Sequence, residues 1–233
     1  MVHEKKRSVL IVLVLLSAVA VVSAGDAARF VNLGFSADSG VFMFAQHGIS
    51  RDEGFPFAEI YAVDVPDNSF VSGGVARETY HTPLSPGQDG SGALYSLLPE
   101  MTDLVSRHRI NHLSQGRLVY VLINGAEVRD RIEFRDFDTG NRYEIEITQE
   151  RRGSGNDVRA AFFLDVTTHL ASDEVLTHRV GRPGYFRDDI DRYRVNQVIV
   201  SPDERSLVIV IEQIRDLDSG KRIRYMVETV KLR

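Results

Sequence analysis

Apolar and polar residues alternate along most of this chain. Phe42-Met43-Phe44, Glu59 to Val63, Leu118 to Ile123, Arg131 to Phe137, Tyr143 to Ile147, Ala160 to Val166, Val195 to Val200, Leu207 to Ile211 and Tyr225 to Leu232 are short and rich in Val, Ile, Phe and Tyr. Gly, Asp, Asn and Ser punctuate them. A period of two bounded by turn residues predicts strands. One stretch breaks the rule: from about Ala93 to Leu113, residues Leu94, Leu97, Leu98, Met101, Leu104, Val105 and Ile110 recur at helical spacing, with Gly116 as a stop. Thr82 to Gly92, rich in Pro, Gly and Ser, reads as a loop before that helix, so a loop and helix insertion is expected at about residues 82–115.

Two internal echoes stand out. Ser36-Ala37-Asp38 precedes the strand Val41 to Ala45, and Ser201-Pro202-Asp203 precedes the strand Ser206 to Val210 at the same offset. Such a pair of side chains can accept nearby backbone amides and hold a tight reversal, so Ser36, Asp38, Ser201 and Asp203 are read as turn residues. Likewise Arg135-Asp136-Phe137-Asp138-Thr139-Gly140 echoes Arg215-Asp216-Leu217-Asp218-Ser219-Gly220, each between two strand patterns. Gly140 and Gly220 would supply the positive φ of short hairpins, and Asp64 to Asn68 looks like a third hairpin.

The chain opens differently. Lys5, Lys6 and Arg7 precede an apolar run from Val9 to Val22, broken only by Ser17, which leads into Val22-Ser23-Ala24. That is the layout of a secretory signal, with cleavage expected after Ala24, and the run is shorter than the ~20 residues a spanning helix needs. Residues 1–24 are therefore read as the signal and 25–233 as one β-rich domain. With 43% hydrophobic and 26% charged residues the 233-residue chain has a globular composition. Losing three basic residues and Glu4 with the signal moves the net charge from −5 to −7, so no whole-surface attraction for nucleic acid or anionic lipid is expected. Zero Cys removes thiol nucleophiles, disulfides and thiolate metal sites. Lys occurs only at positions 5, 6, 221 and 231, so the cationic surface is almost entirely Arg; this reads either as bidentate anion recognition or as the codon usage of a GC-rich genome, and the scatter of the arginines favours the latter.

The run Phe35-Ser36-Ala37-Asp38-Ser39-Gly40, followed by a strand and then Ile60-Tyr61-Ala62-Val63-Asp64, resembles the blade pattern of TolB-like β-propellers. Val200-Ser201-Pro202-Asp203-Glu204-Arg205 looks like the same turn with its Gly replaced. Across nearly the whole exported chain, and especially through Gly54-Phe55-Pro56-Phe57-Ala58-Glu59-Ile60-Tyr61, it also resembles an uncharacterised family of predicted secreted bacterial proteins, a domain of unknown function. The first resemblance implies a propeller-like interaction scaffold, and the second implies secretion without supplying an activity or a catalytic residue. Closing a propeller takes at least four blades of ~40–45 residues, and the helix uses part of the length available. The fold class expected is mainly β, built of blade-like antiparallel hairpins in a propeller-like or an open, sandwich-like arrangement, with one inserted helix.

Candidate chemistry is sparse. His108 and His112 are four apart on the predicted helix but are flanked by Arg107 and Arg109, which oppose a cation. The two Asp-x-Asp-x-Gly runs depart from the calcium loop, because Gly is fifth rather than sixth and Ile147 and Val227 hold the twelfth position. No metal and no cofactor is expected. Asp188, Asp189 and Asp191 beside Arg187 and Arg192 are either an acid/base cluster or an ion-paired loop. The most site-like composition is Phe55, Phe57 and Tyr61 beside Gly54 and Pro56, preceded by Arg51, Asp52 and Glu53; exposed aromatics on a rigid loop make partner hot spots, whereas packing of an inner strand explains the same residues structurally. The function expected is a periplasmic or secreted, non-catalytic binding or scaffold module with another envelope protein as partner. The alternative is an envelope hydrolase whose Asp, Glu or His residues come from loops on the β scaffold.

Overall fold

The computed structural model describes residues 26–232 apart from 52, 86, 124–128 and 219. The expected targeting segment lies outside the described residues. Three sheets dominate. The first has the order β5 (Ser69–Thr79), β4 (Pro56–Asp64), β3 (Val41–Ile49), β2 (Arg29–Ser36) and β6 (Ile110–Asn111). The central sheet runs β1 (Asp26–Ala27), β15 (Gly220–Lys231), β14 (Ser206–Leu217), β13 (Arg192–Val200) and β7 (Arg117–Val121). The third runs β11 (Val175–Gly181), β10 (Arg159–His169), β9 (Arg142–Arg152) and β8 (Arg131–Arg135), with β12 (Arg187–Asp188) also on β10. All pairings are antiparallel except β1 with β15.

The sheets stack because their strands carry apolar residues on both faces. On β14, Leu207, Ile209 and Ile211 pack with Tyr143, Ile145, Phe162 and Leu164 of the third sheet, while Val208 and Val210 pack with Phe35, Phe42 and Phe44 of the first. A strand buried on both sides reads as a continuous apolar run, as Leu207 to Ile211 does. On β3 the same alternation sends Phe42 and Phe44 toward the central sheet and Met43 and Ala45 outward. That outer face is covered by α1 (Ser91–Leu97), a 3₁₀ turn (Leu98–Met101) and α2 (Thr102–His108) through Leu94, Leu97, Met101 and Leu104. The layers are therefore helical, first sheet, central sheet, third sheet.

The helical segment ends earlier than its apolar pattern predicts, because Arg109 turns left-handed at φ 50°. His112 thus lies beyond the helix, where its Nδ1 sits 2.6 Å from the Leu33 carbonyl, and it shares no helical face with His108. Of the two architectures expected, the open sandwich-like one is present and no propeller forms among the described residues. Consecutive propeller blades would be neighbours, but here the chain places β1 on the central sheet, builds the first sheet, returns β7 to the central one, builds the third, and only then completes the centre.

Glutamine amides clip the layers together. Gln46 on β3 accepts from the Tyr225 N–H at 2.7 Å and donates toward its carbonyl at 3.4 Å, mimicking a ladder rung on β15. Gln149 on β9 treats Tyr193 on β13 the same way, accepting at 2.8 Å and donating at 3.3 Å. Each clip satisfies backbone groups that would otherwise be buried without partners.

Candidate functional site

The two Ser-x-Asp turns have the same hydrogen bonds. Ser36 Oγ donates to Asp38 Oδ1 and accepts from the Val41 N–H, while Ser201 Oγ donates to Asp203 Oδ1 and accepts from the Ser206 N–H. Asp38 accepts the Gly40 N–H and Asp203 the Arg205 N–H. The left-handed residue is Ser39 in one turn and Glu204 in the other, so Gly40 is not there for its φ. The Ser36 hydroxyl, followed by the Gly40 amide, holds the Asp38 carboxyl below the ordinary carboxylate range.

The repeated Asp-x-Asp loops differ from each other. Gly140 and Gly220 both have positive φ, at 77° and 124°. Asp136 is buried and accepts from Arg117, Thr139 and the Asp138 amide; burial opposes ionisation, yet these donors keep its pKa below the usual value. Its counterpart Asp216 is exposed and pairs with Arg192. Asp189 and Asp191 belong to a network with Arg215, Arg222 and Arg151 that also ties down the Asp216 N–H, so these carboxylates are occupied by protein partners. Among the described residues no three His, Asp or Glu gather as a metal site.

Glu228 on β15 is buried where the three sheets approach one another. The Asn68 amide, from the β4–β5 turn, donates to it. Burial raises its pKa, with Asn68 and Arg187 pulling the other way.

The aromatic segment forms a different kind of site. Phe57, Glu59, Tyr61 and Val63 alternate along β4 and so share the face turned toward the central sheet. β1 pairs only with Arg222 and Ile223, which leaves the rest of β15 as an edge. The inner face of β5 overhangs that edge uncovered, and Phe70 and Val75 are 56% and 40% exposed there. Along this seam lies a pocket of about 330 Å³ lined by Ser50, Glu53, Phe57, Glu59, Arg77, Thr79 and Arg224, with Ala58 and Glu78 contributing to its wall. Arg224, held by both carboxylate oxygens of Asp26, lies 4.3 Å from the Phe57 ring centroid.

The polar chemistry of the seam runs in one chain. Gln46 and the Tyr61 hydroxyl both donate to Glu59 Oε2 at 2.6 Å, and Arg77 Nε donates to the Tyr61 oxygen at 3.2 Å. Arg77 also lies 5.3 Å from the Tyr61 ring centroid, and Phe70 stacks on the other side of the row at 5.5 Å. Burial first, and then Glu59, push the Tyr61 pKa far up, so its hydroxyl stays protonated. Glu59 and Arg77 are register partners across β4 and β5, but the tyrosine oxygen stands between their charges and they form no direct ion pair.

Of the sequence candidates, the seam brings Phe57 and Tyr61 together. Phe55 packs edge-on to His81 at 4.9 Å and does not line the pocket, Arg51 is exposed in the preceding turn, and Asp52 lies outside the described residues. Sequence reading missed Glu59, Arg77 and Arg224. The alternation Phe57, Glu59, Tyr61 could have flagged the glutamate, but no local signal connects it to arginines far along the chain.

Among curated proteins none matches the chain. Among the described residues no helix is long and apolar enough to cross a membrane. The model of a family described as "Predicted secreted protein (DUF2259)" matches residues 43–231, from within β3 through the last strand, and so takes in strands of all three sheets and the residues lining the seam pocket. The chain belongs to this DUF2259 family of predicted secreted proteins, whose function is unknown.

Proposed function

We propose that the protein is a non-catalytic binding module of the cell envelope that engages its ligand at the seam between the first sheet and β15. The observation that carries this reading is the seam itself, where an aromatic row running out of the core ends at exposed Phe70, beside a polar pocket whose Glu59 and Arg77 are not neutralised by each other. Exposed aromatics on rigid strands, next to unpaired polar groups, are how preorganised sites gain affinity. The carboxylates of the Asp189 and Asp191 network, by contrast, are held by arginines. The resemblance of the Ser36 and Ser201 turns to those of TolB-like blades supports a scaffold role by analogy alone. On the same reading the mature chain is a single domain beginning at Gly25, which N-terminal sequencing of exported protein would check.

A photo-crosslinking amino acid at Thr79, beside the pocket, compared with one at Thr177 on the exposed face of the third sheet, tests the assignment in native envelopes. Adducts at Thr79 that disappear on Phe70→Ala, with none at Thr177, are expected. Adducts at Thr177 alone would overturn the assignment.

A further inference from the structure

The Tyr61 hydroxyl is a spacer between opposite charges. It donates to Glu59 and accepts from Arg77 Nε, so it uses one carboxylate oxygen and one guanidinium nitrogen and keeps the two register partners from closing on each other. Gln46 donates to the same carboxylate oxygen, Oε2. Oε1 of Glu59 and the two terminal nitrogens of Arg77 have no hydrogen-bond partner among the described residues, and both side chains line the same pocket of about 330 Å³. Arg224, the other cation there, is already neutralised by Asp26. An acceptor and a planar fork of donors, adjacent on the lining of one pocket and kept from pairing by the Tyr61 hydroxyl, are complementary to a ligand that carries both an anion and a cation.

We propose that the seam pocket binds a small zwitterion of the α-amino-acid type, with its carboxylate on the Arg77 guanidinium and its ammonium on Glu59 Oε1. This rests on the seam being the ligand-binding face. Tyr61 is the positioning residue: without its hydroxyl, Arg77 and Glu59 would collapse into an ordinary surface ion pair and leave the ligand nothing to bridge. An adjoining carboxylate, Glu53, adds negative charge to the lining and favours ligands with an extra amine, so L-lysine should bind more tightly than L-alanine.

Titration calorimetry of the exported chain with L-lysine, L-alanine and their N-acetyl and carboxamide derivatives tests the assignment. Binding of the zwitterions is expected, with at least a tenfold loss when either ligand charge is blocked. Arg77→Gln should abolish the difference between acid and carboxamide, and Glu59→Gln the difference between free and acetylated amine. Tyr61→Phe keeps both protein charges yet should weaken binding at least tenfold, an effect that a merely charged surface would not show. Thermal unfolding of each variant separates lost binding from lost folding. No heat from any zwitterion at millimolar concentration, or equal affinity for the blocked derivatives, would overturn the proposal. Blocked derivatives that still bind the wild type, but not Phe57→Ala, would retain the seam as the site while refuting the zwitterion; absence of all binding together with crosslinks confined to Thr177 would remove the seam as well.

Discussion

The two faces of the central sheet are joined by the same device and packed with different materials. Toward the first sheet the filling is aromatic, with Phe44 stacked on Phe30, Phe42 and Tyr61 at centroid distances of 5.6, 6.0 and 4.9 Å. Toward the third sheet it is mostly aliphatic, with Ile145, Leu164, Val166, Ile209 and Ile211 at its centre. A glutamine amide clips each interface to a tyrosine backbone, but Gln46 reaches an edge strand whereas Gln149 reaches Tyr193 near the start of β13. The third-sheet side also holds a shorter row, Tyr120, Phe134 and Tyr143 at centroid distances of 5.3 and 5.4 Å. The seam lies on the first-sheet side, where Tyr61 carries the row on to exposed Phe70.

The largest effect should come from removing the centre of either filling. Phe44→Ala is expected to cost ~3–5 kcal/mol and Leu164→Ala ~2–5 kcal/mol in urea unfolding, with the aromatic variant also losing its ring contacts. If Phe44→Ala proved the milder of the two, the stacked row would not be the stronger interface. Next come the clips. Gln46→Ala and Gln149→Ala each strand backbone groups of a buried or half-buried tyrosine and should cost about 1–3 kcal/mol. The first should cost more because it also removes a donor from Glu59, so equal losses would mean that the seam network adds no stability.

Smaller still are the two Ser-x-Asp turns, one serving the first sheet and one the central sheet. Asp38→Ala and Asp203→Ala should each cost about 1 kcal/mol by chemical denaturation, since each carboxylate accepts a hydroxyl and a backbone amide. Unequal losses would show that the congruent hydrogen bonds conceal different surroundings. For Asp38, whose folded pKa is depressed, the contribution is present above the ordinary value of 3.8 and is lost as pH falls through the folded value.

The smallest effect has the opposite sign. Glu228 is raised above 4.5 by burial, so as pH falls through its folded value the folded chain takes up a proton that the unfolded chain does not yet bind. Stability should therefore rise over that window and level off below the unfolded value. Glu228→Gln should lack this rise in urea midpoints measured as pH is lowered toward 4.5, and a wild type that shows none would indicate that Asn68 and Arg187 fully offset the burial.

What was legible in the sequence was whatever local chemistry decides. The Ser36 and Ser201 turns could be read because each contains its own donors and acceptors within a few residues. The strands of β3 and β14 could be read because burial on two faces writes an apolar run. The two Asp-x-Asp-x-Gly loops look equivalent in sequence and are not so in space, because their difference comes from Arg117 in one case and Arg192 in the other. The apolar periodicity marks the helical segment but runs past its end, since the left-handed turn at Arg109 has no glycine to announce it. Half of the seam was legible for the same reason: Phe57 and Tyr61 are neighbours in sequence, but Arg224 arrives from the far end of the chain.

The route of the chain through the central sheet also bears on when the molecule can become compact. β7 must wait for β13, and β1 must wait for β15, because Asp26 pairs with Arg222 and Gln197 with Val121. Neither outer sheet can bury its inner face until the last three strands have been made. During synthesis and export, most of the chain therefore remains without its central layer, and closure of such distant pairings is expected to be slow because the ordering entropy is lost before the contacts repay it. A secreted chain with this connectivity can close its first sheet on the helices early, but the aromatic inner face of β3 needs protection from premature association until the C-terminal strands emerge.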